Sequence, residues 1–312
     1  MRRTPTTPDP SATPARWRAA AAAFGAAALT LLLVGCSSAG TPTGRADAAA
    51  PTASAGMAGM DHGTMPGTAT GAPAGNAGLA GAEDGYRFVP AVRELPAGRP
   101  TRFAFTVIGP DGKPVTGFAL HQTKRLHLFA VRSDLTGFQH VHPTMAPDGT
   151  WTAALGALSP GTWRTYVTFM PDGGPERHKE FVLSRTLSVP GAARALPLPA
   201  AADHAEVDGY TVRVRGDAKA DRATLLTVAI SKGGKPVTEL EPYLDSYAHL
   251  TAFHEGDQAA AHFHPANPVT AAGAGPDLPV HALLPRTGRW RLFLQFQTGG
   301  RLHTAALTLH VT

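Results

Sequence analysis

The stretch Ile108-Gly-Pro-Asp-Gly-Lys-Pro-Val-Thr-Gly-Phe118 returns as Ile230-Ser-Lys-Gly-Gly-Lys-Pro-Val-Thr-Glu-Leu240, 122 residues further on. Keeping that offset without a gap, Leu126-His127-Leu128 falls on Ala248-His249-Leu250, and His140-Val-His142-Pro143 on His262-Phe-His264-Pro265. Asp84-Gly85-Tyr86 recurs as Asp208-Gly209-Tyr210, and Gly161-Thr-Trp163 as Gly288-Arg-Trp290, with small changes of offset in loops. Chance similarity in an Ala-rich chain does not keep so many unlike residues in one frame, so the chain holds two copies of one domain. We place them at residues 84–190 and 208–312, joined by a Pro/Ala-rich linker at 191–207. Each copy, at about 105 residues, has an ordinary size for a domain with its own core.

Short runs of alternating apolarity identify the local structure. Phe103-Ala-Phe-Thr-Val-Ile108 ends at Gly109-Pro-Asp-Gly112, and Thr165-Tyr-Val-Thr-Phe169 ends at Pro171-Asp-Gly-Gly174. These are strand and turn signals, and no stretch beyond the leader has a helical period. About seven short strands per copy, with Trp151, Trp163 and Trp290 as core aromatics, predict an all-β chain of two tandem immunoglobulin-like β-sandwiches. A barrel of the same strands is the alternative.

Ahead of the repeats, Arg2, Arg3, Arg16 and Arg18 precede an uncharged apolar run from Ala19 to Val34. That is the pattern of a secretory signal. Its end, Leu33-Val-Gly-Cys36, resembles the lipobox of bacterial lipoproteins, which implies a signal peptide at 1–35 and lipid attachment at Cys36. A plain secretory signal or an uncleaved anchor is the alternative, though the run is shorter than the ~20 residues a spanning helix prefers. Cys36 is the only cysteine, so no internal disulfide forms and no thiolate is left for a metal in the folded part. Removing four arginines and Asp9 with the leader lowers the formal charge from +5 to +2. A nearly neutral chain gives no electrostatic case for nucleic acid.

The histidines carry the chemistry. Arg125–Val131 reads as a strand, Ser133–Gly137 as a turn and Phe138–His142 as the returning strand. Residues two apart share a face, so His140 and His142 point the same way. A turn centred between Asp134 and Leu135 sets His127 opposite His142 on that face; a one-residue slip moves it to the other. His249, His262 and His264 repeat the arrangement. Three converging imidazoles suit copper or zinc. The plainer reading is that they cap a hairpin and bond to loop carbonyls. His178 and His303 are candidates for a further donor in each copy. His121, His204, His254, His281 and His310 have no histidine counterparts and read as surface or packing residues.

Residues 36–83 are almost entirely small or polar and predict a flexible tether. Within it, Met57, Met60 and Met65 lie beside Asp61 and His62. Soft thioethers next to an imidazole suit Cu(I), and the stretch is similar to the Met/His-rich segments of bacterial envelope copper-handling proteins. Compositional drift in a low-complexity tether is the alternative.

With those features placed, the hairpins Leu126–Pro143 and Ala248–Pro265 resemble those of YtkA-like and heavy-metal-associated domains in actinobacterial secreted lipoproteins. The resemblance implies a β-sandwich, a place on the outer face of the cell membrane, and a loose association with metal. The expected function is a lipoprotein that buffers copper or another transition metal, or hands it to an envelope partner. The competing expectation is a metal-free interaction module of the envelope. No Gly-x-Ser-x-Gly, phosphate loop or dinucleotide fingerprint is present, so we do not expect an enzyme.

Overall fold

A computed structural model describes residues 77–270 and 273–312. The first copy contains β1 (Ala82–Glu83), β2 (Tyr86–Pro90), β3 (Thr101–Ile108), β4 (Leu126–Arg132), β5 (Phe138–Val141), β6 (Thr144–Met145), β7 (Thr150–Leu155), β8 (Gly161–Phe169) and β9 (Phe181–Val189). They form a five-stranded sheet, β1-β2-β3-β7-β6, and a four-stranded sheet, β5-β4-β8-β9. The second copy contains β10 (His204–Val207), β11 (Tyr210–Arg215), β12 (Ala223–Lys232), β13 (Lys235–Pro236), β14 (His249–His254), β15 (Ala260–Phe263), β16 (Asp277–Leu283), β17 (Gly288–Thr298) and β18 (Arg301–Val311). Its sheets are β10-β11-β12-β13, with β16 on β12, and β15-β14-β17-β18. Both copies are immunoglobulin-like sandwiches, and the described residues contain no helix.

Alternation builds each core. Tyr86 and Phe88 on β2 and Phe103, Phe105 and Val107 on β3 point inward to meet Leu126, Leu128, Trp163, Val167 and Phe169 of the opposite sheet. Val212, Val228, Leu250, Trp290, Leu292 and Leu294 do the same in the second copy. Asp84-Gly85 and Asp208-Gly209 turn the first hairpin of each copy with positive φ at both residues (45° and 82°; 49° and 80°). That is the backbone of a two-residue type I′ turn, which explains why Asp-Gly recurs there.

A second pair of tight turns lacks glycine. Gln122 and Thr123 (φ 50° and 64°), and their counterparts Leu244 and Asp245 (56° and 58°), all sit in the left-handed region. A β-branched residue is strained there. We expect Thr123→Gly to raise unfolding stability by about 0.5–1 kcal/mol, read as a higher denaturant midpoint at unchanged slope. A lower midpoint contradicts this assignment of strain.

Strands β4 and β14 do not alternate. Every residue of β4 is buried, and all of β14 except His254. Their inner residues fill the sandwich cores, and their outer residues, among them Phe129, Val131 and Phe253, belong to a third apolar cluster with Leu135, Tyr166, Val182, Leu198, Ala260 and Phe293. This cluster draws on both copies. The outer faces of the two four-stranded sheets are therefore pressed together, and the fold is four sheets deep. Phe138 stacks on Phe293 at 4.2 Å between centroids and 6° between planes, and Tyr166 meets Phe253 at 5.1 Å. Tyr166 donates its hydroxyl proton to the Gln258 carbonyl at 2.5 Å, and Gln258 Nε2 donates to the Arg132 carbonyl at 3.4 Å.

The connecting segments differ from their expected bounds. Residues 77–83, placed in the tether, are structured: Ala77 is buried and its carbonyl accepts from the Ala260 amide at 2.8 Å. The second sandwich begins at His204 rather than 208, because β10 pairs along β11. The linker between the copies is fastened too. Arg132, ion-paired with Asp134 at 2.5 Å, donates to the Arg194 carbonyl at 3.0 Å, and the Leu196 amide donates to Asp134 at 3.0 Å. Composition marks these segments as poor core formers, and hydrogen bonds to their backbone hold them together with the buried Ala77 and Leu198.

Candidate metal centre

The hairpin register places the histidines. β4 and β5 pair Leu128 with Val141 and Phe129 with His140, which continues to His127 opposite His142. β14 and β15 pair Leu250 with Phe263 and Thr251 with His262, which continues to His249 opposite His264. All six side chains thus leave the outer face of their own sandwich, and that face is the seam.

The two expected triplets are consequently not separate sites. His140 stacks on His249 at 4.7 Å between centroids, and His127 lies 6.0 Å from His249. Within each copy the rings are as close: His127 to His142 at 5.0 Å, His140 to His142 at 4.8 Å, His249 to His262 at 4.3 Å, and His262 to His264 at 4.5 Å. The ligating atoms of His127, His140 and His249 lie within 4.8 Å of one another, and so do those of His249, His262 and His264. One continuous cluster of imidazoles spans the two domains.

Two hydrogen bonds set which nitrogens face inward, the second for the Gln295 amide orientation found here. His127 Nε2–H donates to the His121 carbonyl at 3.0 Å, leaving Nδ1 unprotonated in the neutral ring. His140 Nδ1–H donates to Gln295 Oε1 at 2.8 Å, while Gln295 Nε2 donates to Thr304 Oγ1 at 3.3 Å. The remaining atoms, His127 Nδ1 and His140 Nε2, face each other at 3.2 Å with a lone pair each. In the other half, His249 Nε2 lies 2.8 Å from His262 Nε2, and His249 Nδ1 lies 3.2 Å from His264 Nε2. Tetrahedral coordination at about 2.0–2.1 Å sets neighbouring nitrogens about 3.3 Å apart; the His127–His140 and His249–His264 pairs match that spacing, and the His249–His262 pair is closer.

Burial keeps these rings neutral. His127 and His249 are 1% and 0% exposed. Desolvation pushes His127 down to about 3 and His142 and His264 down to about 4, and it holds His140, His249 and His262 well below the usual imidazole value; the neighbouring imidazoles deepen the shift for all but His142. Neutral imidazole is the form that binds a metal.

Other predicted residues fall elsewhere. His178 is exposed beside Asp172, and His303 is buried in the second sandwich, held by Asp208 Oδ2 at 2.7 Å and Thr298 Oγ1 at 3.1 Å. Neither joins the cluster, because each sits at the hairpin end of its sheet rather than on the seam face. Cys36, Met57, Met60, His62 and Met65 lie outside the described residues. His121, read from sequence as a surface or packing residue, stands at the cluster instead. Its carbonyl takes the His127 proton, its ring lies 6.1 Å from that of His127, and its Nδ1 is 3.8 Å from Glu180. At the shared offset it falls on Tyr243, whose ring is 6.2 Å from His249. The substitution of one aromatic for another hid the equivalence.

Fold and site together define a tandem immunoglobulin-like protein with a histidine-lined interdomain seam. The chain belongs to the family described as Domain of unknown function (DUF8832), matching it twice, over residues 81–186 and 205–312. No curated protein matches the chain. Similar solved structures include FdeC, an Escherichia coli adhesin, at 17% identity and a TM-score of 0.24, over 74% of this chain and 65% of the adhesin. This chain thus spans slightly less than two thirds of the adhesin's length. The Ig1-2 module of the Drosophila receptor tyrosine phosphatase DLAR matches at 9% identity and 0.20, over 73% and 98%. Fibronectin(III)-like modules of Clostridium thermocellum CbhA match at 11% and 0.19, over 72% and 92%. Scores this low say nothing about what the chain binds.

Proposed function

We propose that this is an extracytoplasmic, lipid-anchored protein that binds a transition metal, copper or zinc, in the seam between its two sandwiches, for buffering or for handover to an envelope partner. The observation that carries the reading is the facing pair His127 Nδ1 and His140 Nε2. Two lone pairs 3.2 Å apart in a buried site repel, and a cation between them removes that repulsion. Ring protons held by a backbone carbonyl and by Gln295 are the outer support that metal-binding histidines ordinarily have. Because the imidazoles come from both domains, a bound ion also ties the sandwiches together. The Met57–Met65 segment serves in this reading as a soft Cu(I) capture site that feeds the seam.

Native mass spectrometry of the purified chain, with micromolar Cu(II) or Zn(II), tests the reading. The parent protein retains metal, and changing His127, His140 and His142 to Ala removes most of it. If the parent binds neither metal, the reading fails. If only loss of Met57, Met60 and Met65 abolishes binding, the seam histidines are structural.

A second reading rests on one feature of the same network. With the Gln295 amide turned over, His140 Nε2–H donates to His127 Nδ1 and the contacts close as hydrogen bonds without a cation. The chain is then an envelope interaction module whose domains are locked by a buried polar network. Absence of metal binding together with an intact seam favours it.

A further inference from the structure

Residues 77–81 cross from one sandwich to the other at the rim of the seam. Next to β1, the Gly81 carbonyl accepts from the Phe88 amide at 3.0 Å and the Ala80 carbonyl from the Ser184 amide at 2.8 Å. Arg164 Nη1 donates to the Leu79 carbonyl at 3.4 Å while holding Ser184 Oγ at 3.0 Å. All of these partners belong to the first sandwich. Two residues earlier the partners change. The Ala77 carbonyl accepts from the Ala260 amide on β15 at 2.8 Å, and Ala77 and Leu79 pack on the core of the second sandwich. Leu79 thus gives its carbonyl to one domain and its side chain to the other.

Gly78 sits in the slot between them. Its φ of 72° is in the left-handed region. A Cβ there would lie 2.9 Å from Val182 Cγ1 and 3.5 Å from Tyr166 Cδ1 of the first sandwich, and 3.4 Å from Ala260 Cβ of the second. Glycine meets both demands. The repeat supplies a control. Counted back from Asp84-Gly85 and Asp208-Gly209, with β1 and β10 in matching register, Ala77 and Gly78 correspond to Ala201 and Ala202. Ala77 and Gly78 are buried, whereas Ala201 and Ala202 are exposed. The stretch is buried only in the copy where it meets the other domain.

We infer that residues 77–81 are a clasp, a segment of small residues seated in the groove between the sandwiches that holds the seam closed. The clasp needs no ion and stands whether or not the seam binds a metal. Its partner Ala260 lies two residues before His262 on β15, so the chain preceding Ala77 departs beside the histidine cluster. Anything that draws on that preceding chain acts first on the clasp.

The test compares the full parent chain with Gly78→Val and Gly98→Val, each freed of metal with a chelator at pH 7.5. Gly98 has a φ of 69° in the loop before β3, with open space where a Cβ would stand. Its variant therefore carries the backbone strain without the wedge. Hydrogen exchange at single amides reads the clasp, and small-angle scattering reads the seam. Gly78→Val is expected to quicken exchange at Ala260 by roughly 10- to 100-fold over Gly98→Val, the range that overpacking a tight site produces. Its radius of gyration rises, while β3 and β12 keep the protection they have in Gly98→Val. Faster exchange at Ser184 and Phe88 alone, with the radius unchanged, overturns the clasp and leaves the segment as an edge of the first sandwich. Equal loss of protection in β3 and β12 overturns it as well, since the segment then belongs to a core. The parent decides by itself where a variant does not fold. Its Ala260 amide is expected to be protected like that of Ser184, and an Ala260 amide that exchanges as freely as an exposed loop overturns the clasp.

Discussion

Freed of metal with a chelator and titrated from pH 7.5 downward, the two sandwiches are expected to come apart between pH 6 and 5, before either unfolds. The direction follows from the depressed pKa values. His127 stays neutral until about pH 3 and His142 and His264 until about 4, with His140, His249 and His262 also held low. In the opened chain these groups regain a value near the ordinary ~6.5. Below that pH the open state binds more protons than the closed one, so closure weakens as pH falls. The loss runs from about 6.5 down to the closed-state values, and stability is fully present above 6.5. Every imidazole that charges on opening adds about 1 kcal/mol of loss for each pH unit below ~6.5, and a cluster of them loses a sizeable share of a domain's stability. The separate cores hold no histidine from the seam, and each has its own aromatic packing. Small-angle scattering following the radius of gyration, with near-ultraviolet dichroism reporting the Trp cores, distinguishes opening from unfolding. Saturating Zn(II) moves the opening to lower pH, since metal and proton compete for the same lone pairs. A radius unchanged down to pH 4 in the chelated protein contradicts the prediction.

Phe253→Ala is expected to open the seam at neutral pH. Phe253 is fully buried and meets Tyr166 at 5.1 Å, Phe138 at 6.1 Å and Phe293 at 6.2 Å, so it joins aromatics of both domains. Truncating a buried Phe costs about 3–5 kcal/mol through lost transfer energy and the cavity that remains. The cavity lies at the interface, where the surrounding groups can relax by separating. Calorimetry then resolves two transitions where the parent shows one, and hydrogen exchange quickens on β4 and β14 while β3 and β12 stay protected. A single transition lowered as a whole places Phe253 in a shared core instead. Metal bound in the seam offsets part of this loss, which gives the variant a metal-dependent melting temperature.

The duplication and the sandwich architecture were legible in the primary structure because each rests on local rules, and the hairpin register was legible as one of two alternatives. Asp-Gly turns demand a two-residue hairpin, alternation demands one apolar face, and a turn centred at Asp134–Leu135 leaves only one partner for His127. The convergence of the two triplets follows from no such rule. Leu126-His-Leu-Phe-Ala-Val131 is apolar on both parities, and Thr251 and Phe253 continue the outer row of β14. That pattern says both faces are covered, but not by what. Nor does spacing along the chain bring His121 to the site, since its counterpart is a tyrosine and its contact is made through a backbone carbonyl. His178 and His303 stood as candidates because each lies near the last hairpin of its copy, and that end of the sheet lies away from the seam.

Sequence by itself determined two copies of one β domain, each with two histidines on one face of a hairpin strand; the strand register then set His127 and His249 beside them. Tertiary structure alone decided that those faces meet. Burying Phe129, Phe138, Phe253 and Phe293 against one another removes apolar surface from water, and that gain brings six polar rings into the same dry layer. Their neutrality, their facing lone pairs and the double-sided environment of His249 are consequences of that layer, which neither domain has alone.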